Sequence, residues 1–304
     1  QHKTKQEPTP CHHRFNRIFY KPKLIMASIT YGDIDEIVPD TWKNLVPTIM
    51  AQKDAYKFIG KNRDATNAKP TLPVRELTFR ALVPYPPKDW NVIIFGQNPY
   101  PRLESATGIA MFDGQYKDWQ GTMSPSLRNI IKGAAMTELP EKVSKATKID
   151  ALRKVLKSEN VVQPVQWFES TLKSKCLWLN TALTVGGSDS DNSHNKFWKP
   201  IIEEIIKSIL SSKEKGQGVV VALWGNQAVK LRKLVDSINV FNVPIEFVES
   251  YNPAAQGDIF CNNSAFQAIN DSLSKLHLEA IEWLPRMMED GTTNSKKKHK
   301  NNTG

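Results

Sequence analysis

Four short segments concentrate the residues able to do chemistry: Gly96-Gln97-Asn98-Pro99-Tyr100-Pro101, Asn180-Thr181, Trp224-Gly225-Asn226-Gln227 and Glu249-Ser250-Tyr251-Asn252-Pro253-Ala254-Ala255. Each is rich in carboxamides, aromatic rings and tight-turn residues. A carboxamide both donates and accepts, so it can read the edge of a neutral heterocycle, and an aromatic ring can stack on its face. Neither a GxGxxG sequence nor a Walker lysine accompanies them, which argues against dinucleotide and nucleoside-triphosphate sites. No close His/Asp/Glu trio supplies metal ligands, since only His194 and His277 fall inside the region expected to fold. What remains is a neutral, hydrogen-bonding pocket with aromatic walls. Taken singly, the residues have plainer readings: Asn98-Pro99 as a turn dipeptide, and Asn180 as a buried amide bonding neighbouring backbone.

Each segment follows a short apolar run, at residues 92–95 (VIIF), 176–179 (CLWL), 219–223 (VVVAL) and 244–248 (PIEFV). The first three lack alternation, as expected for strands covered on both faces of a parallel sheet. The fourth is mixed and suits an edge. Between the runs lie helical patterns. Ser124-Pro125 makes a cap and first position, with Leu127, Ile130, Ile131 and Ala134 on one face. Ile201, Ile202, Ile205, Ile206, Ile209 and Leu210 follow Pro200 at helical spacing; Ala228, Leu231, Leu234, Val235 and Ile238 form a third stripe, and Phe266, Ile269, Leu273 and Leu276 a fourth. These stripes read as core packing. Strand, loop and helix in repetition predict a three-layer α/β/α sandwich with a central four-stranded, mainly parallel sheet. Ligands of such sheets bind beyond the carboxyl ends of the strands, where the four amide-rich segments stand.

The chain has 304 residues and a formal charge of +10, but the charge is concentrated at its ends. Residues 26–285 hold 30 basic against 28 acidic side chains, so the folded part is close to neutral. Residues 1–40 read as a basic, largely disordered extension, 41–285 as the folded domain, and 286–304, with Lys296, Lys297, Lys298 and Lys300, as a basic disordered tail. Three scattered cysteines (Cys11, Cys176, Cys261) without CxxC spacing point to reduced thiols in an intracellular, reducing compartment. That compartment is the nucleus for a eukaryotic chain and the cytoplasm otherwise. No run reaches the roughly 18 apolar residues of a membrane span, so no membrane partner is expected.

The strand-end segments resemble the motifs of the uracil-DNA glycosylase superfamily, specifically its uracil-DNA N-glycosylase (family 1) branch. Residues 92–101, VIIFGQNPYP, resemble that family's VVILGQDPYH. Residues 179–185, LNTALTV, match LNTxLTV, and Asn192-Ser193-His194 with Trp198 resemble the following NSHxxxxW with one residue fewer between His and Trp. Leu223-Trp224-Gly225 with Ala228 matches LLWGxxA; residues 251–255 fall where the family has its HPSPL insertion loop, and Ile281-Glu282-Trp283 matches the closing IDW. Leu72-Pro73, Phe79 and Ala81 fit the proline loop and FxA segment. The six pieces are collinear from about Trp42 to Trp283. The YNPAA loop and Pro101 are also similar to poxvirus members.

The resemblance implies a DNA glycosylase that flips a pyrimidine out of single- or double-stranded DNA. It hydrolyses the N-glycosidic bond and leaves an abasic site, as in base-excision repair. Positions carry over residue by residue. Asn180 is the base-reading amide, Tyr100 the ring that crowds C5 and excludes thymine, and Gln97 the backbone donor to O2. An ungapped match makes Met111 the stacking residue, with Phe112 one position off. Ser126, Ser188 and Ser193 are expected on phosphates, and Pro253, Ala254 and Gln256 in the insertion loop. His194 reads as a loop-fixing residue, and Trp178, Trp198, Trp224 and Trp283 as core. Two departures fall on the chemistry. The family's water-positioning Asp is Asn98 here, and its O2-binding His is Asn252, a pairing similar to the mismatch-specific branch with its GINPG and NPSGL motifs. Gln256 stands where the family inserts a leucine. The implied enzyme is a monomer, needs no cofactor, and has weakened catalysis. A DNA-binding pseudoglycosylase serving replication proteins, or a glycosylase for a modified pyrimidine in viral DNA, remain the alternatives.

Overall fold

Buried apolar strands set the architecture. The computed structural model describes residues 34–52, 71–186, 194–287 and, as backbone, 293–294. In chain order the regular elements are α1 (Val46–Ala51), β1 (Thr71–Leu72), β2 (Val92–Gly96), α2 (Pro125–Glu138), α3 (Ile149–Ser158), α4 (Pro164–Lys173), β3 (Cys176–Asn180), β4 (Val185–Gly186), α5 (Asn195–Ser211), β5 (Val219–Trp224), α6 (Asn226–Val229), α7 (Leu231–Ile238), β6 (Ile245–Ser250), α8 (Ala265–Lys275), β7 (Arg286–Met287) and β8 (Thr293–Asn294). The four expected strands form one parallel sheet in the order β3-β2-β5-β6, flanked by helices. Every residue of β2, β3 and β5 is buried, which requires cover on both faces. At the edge, β6 is only partly buried, matching its mixed pattern.

Register places the four strand ends side by side. Gly96 pairs with Asn180, and Trp224 with Ser250. The pairing of Ile94 with Ala222, carried on two residues, brings Gly96 beside Trp224. Parallel strands therefore deliver all four amide-rich segments to one rim.

The helices form where periodicity placed them. The Ser124 hydroxyl accepts the Leu127 N–H at 3.2 Å and caps α2, with Pro125 at its first position. Helix α5 begins at Asn195, ahead of Pro200, and continues through it. The third stripe is split at Lys230 into α6 and α7, of which only Val235 is fully buried. Helices α3 and α4, short and carrying charged exposed faces, were not anticipated. Trp178, Trp198, Trp224 and Trp283 are all core residues, at most 2% exposed.

Packing extends past the expected domain limits of 41 and 285. Ile34 and Val38 are buried in the main core, because the turn Ile34–Ile37 brings apolar side chains against it. At the other end Arg286–Met287 pairs antiparallel with Thr293–Asn294, so part of the expected tail is strand. No described helix is long and apolar enough to cross a membrane.

Candidate active site

A cavity of about 310 Å³ lies at the carboxyl ends of β2, β5 and β6. From β2 its wall takes Phe95, Gly96 and Gln97, and from the following loop Met111. Thr181 contributes after β3; Trp224, Gly225, Asn226, Gln227 and Ala228 after β5; and Tyr251, Asn252, Ala255 and Ile259 after β6. Four of these are carboxamides. Among the described residues, no carboxylate, imidazole or ammonium group lines the wall, and no cluster of His, Cys, Asp or Glu could hold a metal ion.

Glycine governs the β2 rim. A Cβ on Gly96 would lie 2.4 Å from Asn180 Oδ1 and 2.9 Å from Ala110 Cβ. The missing side chain leaves the space that the Asn180 amide fills, so Asn180 stands directly behind the wall. It is 5% exposed, and among the described residues its Oδ1 has no hydrogen-bond partner. Leaving such an oxygen unsatisfied costs roughly 1–3 kcal/mol, which a ligand donor would relieve. The loop is tied to β3: Thr181 N–H donates to Gly96 O (3.0 Å), while Ala182 N–H and the Thr181 hydroxyl both donate to Gln97 O (3.1 and 2.9 Å).

Asn98 is half-buried beside Gln97, and it and Tyr100 stand outside the cavity wall. The Tyr100 hydroxyl donates to Met111 O at 3.4 Å and so sits behind a wall residue. Burial, helped by the Asp113 carboxylate, pushes its phenol up to about 12, so the ring is neutral. Met111 adopts a left-handed φ of 61° and faces the cavity. Phe112 does not: it is buried and stacked on Phe168 at 4.7 Å. Of the two stacking candidates, the ungapped alignment position is the one at the cavity. Ser126 is half-buried in the first turn of α2, away from the wall. Ser188 and Ser193 lie outside the described residues.

Across the cavity, Gly225 has φ 95° and ψ 159°, a conformation essentially confined to glycine. A Cβ there would meet Asn252 Cβ at 2.9 Å. The Gly225 N–H donates to Ser250 O at 2.8 Å, locking the β5 and β6 ends together. Asn252 Oδ1 accepts the Ala254 N–H at 2.8 Å, which fixes the amide and leaves Nδ2 as its donor. The loop that follows is braced on α2. Buried Asn129 donates to Pro253 O (2.8 Å), and Asp258 pairs with Arg128 (3.4 Å) and Lys132 (3.2 Å). Ala254 and Gln256 are exposed on this loop. His194 does act as a loop anchor: its Nδ1 is 2.9 Å from the Thr184 hydroxyl, which also accepts Trp198 Nε1–H at 2.6 Å.

Of the residues expected at the site, Gln97, Met111 and Asn252 line the cavity, while Asn98, Tyr100 and Asn180 adjoin its wall. The wall residues Thr181, Asn226, Gln227, Tyr251 and Ile259 carry no individual role in the sequence reading. All but Ile259 belong to the amide-rich strand ends, and that membership was the available signal.

No protein-family model matches the chain. Among curated proteins, the uracil-DNA glycosylase of Clostridioides difficile (strain 630) is 32% identical over 200 residues, covering 64% of this chain and 74% of that protein. The uracil-DNA glycosylase of Corynebacterium glutamicum is 25% identical over 271 residues, covering 86% and 98%. Among solved structures, UNG from Nitratifractor salsuginis superimposes with a TM-score of 0.61 at 21% identity, covering 82% of this chain and 96% of that one. Mimivirus uracil-DNA glycosylase gives 0.58 at 16%, covering 84% and 90%. The structural likenesses bear on the fold, and the sequence identities reach further: this chain belongs to the uracil-DNA glycosylase family.

Proposed function

We propose that the protein hydrolyses the N-glycosidic bond of uracil in DNA, leaving an abasic site, with a site in which carboxamides replace the ionisable pair. The observation that carries this is the unengaged Asn180 amide oxygen, buried behind side-chain-free Gly96 at the edge of a neutral cavity. That oxygen accepts the uracil N3–H while Nδ2 donates to O4; cytosine would present a donor to a donor. Met111 packs on the face of the base, and Tyr100, held against the Met111 carbonyl, restricts room at C5. As the bond lengthens, the sugar becomes cationic and negative charge builds on O2. Asn252 Nδ2 and the Gln97 backbone N–H donate to O2. Asn98 orients water toward C1′ through its carbonyl oxygen. Water forms the new C1′–O bond as the bond to N1 breaks, and its proton leaves to solvent.

An amide brings dipole but no charge to the developing cation. Losing one pre-organised electrostatic partner costs on the order of 10²–10³ in rate, about 3–4 kcal/mol. Asn98→Asp is therefore expected to raise single-turnover uracil excision by about two orders of magnitude. If both wild type and Asn98→Asp release no uracil from single-stranded or duplex DNA, the reading is wrong.

A further inference from the structure

Among the aromatic residues of the cavity wall, Tyr251 is unlike the others. Phe95 and Trp224 are 1% and 2% exposed, and Trp224 is packed between Trp178, Phe260 and Phe266, with ring centroids 5.7, 4.9 and 5.4 Å away. They are core side chains that reach the wall from beneath. Tyr251 is 48% exposed, and among the described residues no ring contact or hydrogen bond engages its side chain.

The backbone beneath that ring is nevertheless fixed on both sides. Ser250 O accepts the Gly225 N–H, and Asn252 Oδ1 accepts the Ala254 N–H, each at 2.8 Å. A rigidly mounted, half-exposed aromatic at the mouth of a polar cavity presents a π-face to whatever enters. Outside the wall itself, exposed Lys230 donates from Nζ to Oε1 of the lining residue Gln227 at 3.0 Å, so a cation adjoins the neutral cavity. Five residues beyond Tyr251, the loop carries exposed, polar Gln256, which fills a vacated base stack poorly.

Resting on the glycosylase reading, we propose that Tyr251 is a stacking platform for the nucleobase next to the flipped one, on the same strand, with Lys230 near the adjoining phosphate. The ring supplies at the strand's edge the apolar contact that Gln256 cannot supply inside the stack. This favours single-stranded or already unstacked DNA, in which a neighbouring base is free to turn onto the ring.

The test is binding of a short single strand carrying pseudodeoxyuridine, whose carbon–carbon glycosidic bond resists excision, followed by fluorescence anisotropy. Tyr251→Ala is expected to weaken binding about tenfold, within the roughly 5- to 150-fold span of base–aromatic stacking, and Tyr251→Phe to keep wild-type affinity. Replacing the flanking nucleotides by baseless tetrahydrofuran spacers should weaken the wild type equally and leave Tyr251→Ala unchanged. Wild-type affinity in Tyr251→Ala, or an equal loss in both proteins on removing the flanking bases, overturns the platform. Uracil excision by the wild type is measured in parallel. Its absence, with the stacking pattern intact, overturns the glycosylase reading while supporting the platform.

Discussion

Asn252 shows how one side chain acquires a single role from its surroundings. Its oxygen is spent on the Ala254 N–H, so the amide faces a ligand as a donor, the role a neutral imidazole would play. Asn180 is the opposite case, with an oxygen left unspent. Neither group titrates in the working range, and among the described residues the cavity wall carries no carboxylate or imidazole. Tyr100, pushed up to about 12, stays protonated throughout. The single-turnover rate constant is therefore expected to vary less than about threefold between pH 6 and pH 9. A bell-shaped profile would instead reveal an ionising acid or base at the reacting centre.

At the scale of elements, the site is a product of where parallel strands stop. Gly225 takes a conformation essentially confined to glycine, and its missing side chain lets the β5 end approach Asn252. Gly225→Ala is expected to cost about 1–3 kcal/mol in denaturant unfolding and to lower excision by displacing Asn252. Unchanged stability would mean that the loop adapts freely. Strands β2, β3 and β5 were legible because burial on both faces leaves uninterrupted apolar runs, edge strand β6 from its mixed pattern, and α2, α5 and α8 because their stripes are wide. Helices α3 and α4 were less legible: Leu152 and Leu156 are the only fully buried residues of α3, a stripe too narrow to stand out. Carboxamides at strand ends announced the site, but which atoms face the cavity depends on long-range contacts. Phe112 turns inward to Phe168, and Asn180 slips behind Gly96, for reasons that lie 56 and 84 residues away. Ile34 and Val38 join the same core from ahead of the expected boundary.

For the whole molecule, charge and chemistry are separated. The folded middle is nearly neutral, whereas Lys296, Lys297, Lys298 and Lys300 fall in a segment outside the described residues. Such charges attract phosphates without reading sequence, and the attraction weakens with salt. Replacing these four lysines by alanine should weaken DNA binding at low salt and flatten its salt dependence, leaving the saturated single-turnover rate unchanged; a fall in that rate would place the tail at the reacting centre. The central claim is that a neutral, carboxamide-rich cavity excises uracil, and its most direct test uses the intact chain. Excess protein is incubated with a single strand containing one deoxyuridine, and abasic sites are read by alkaline cleavage. Cleavage at the uracil position should exceed that of an Asn180→Ala control by at least about tenfold, with a thymine strand untouched. Equal cleavage by wild type and Asn180→Ala, or none by either, would contradict the account.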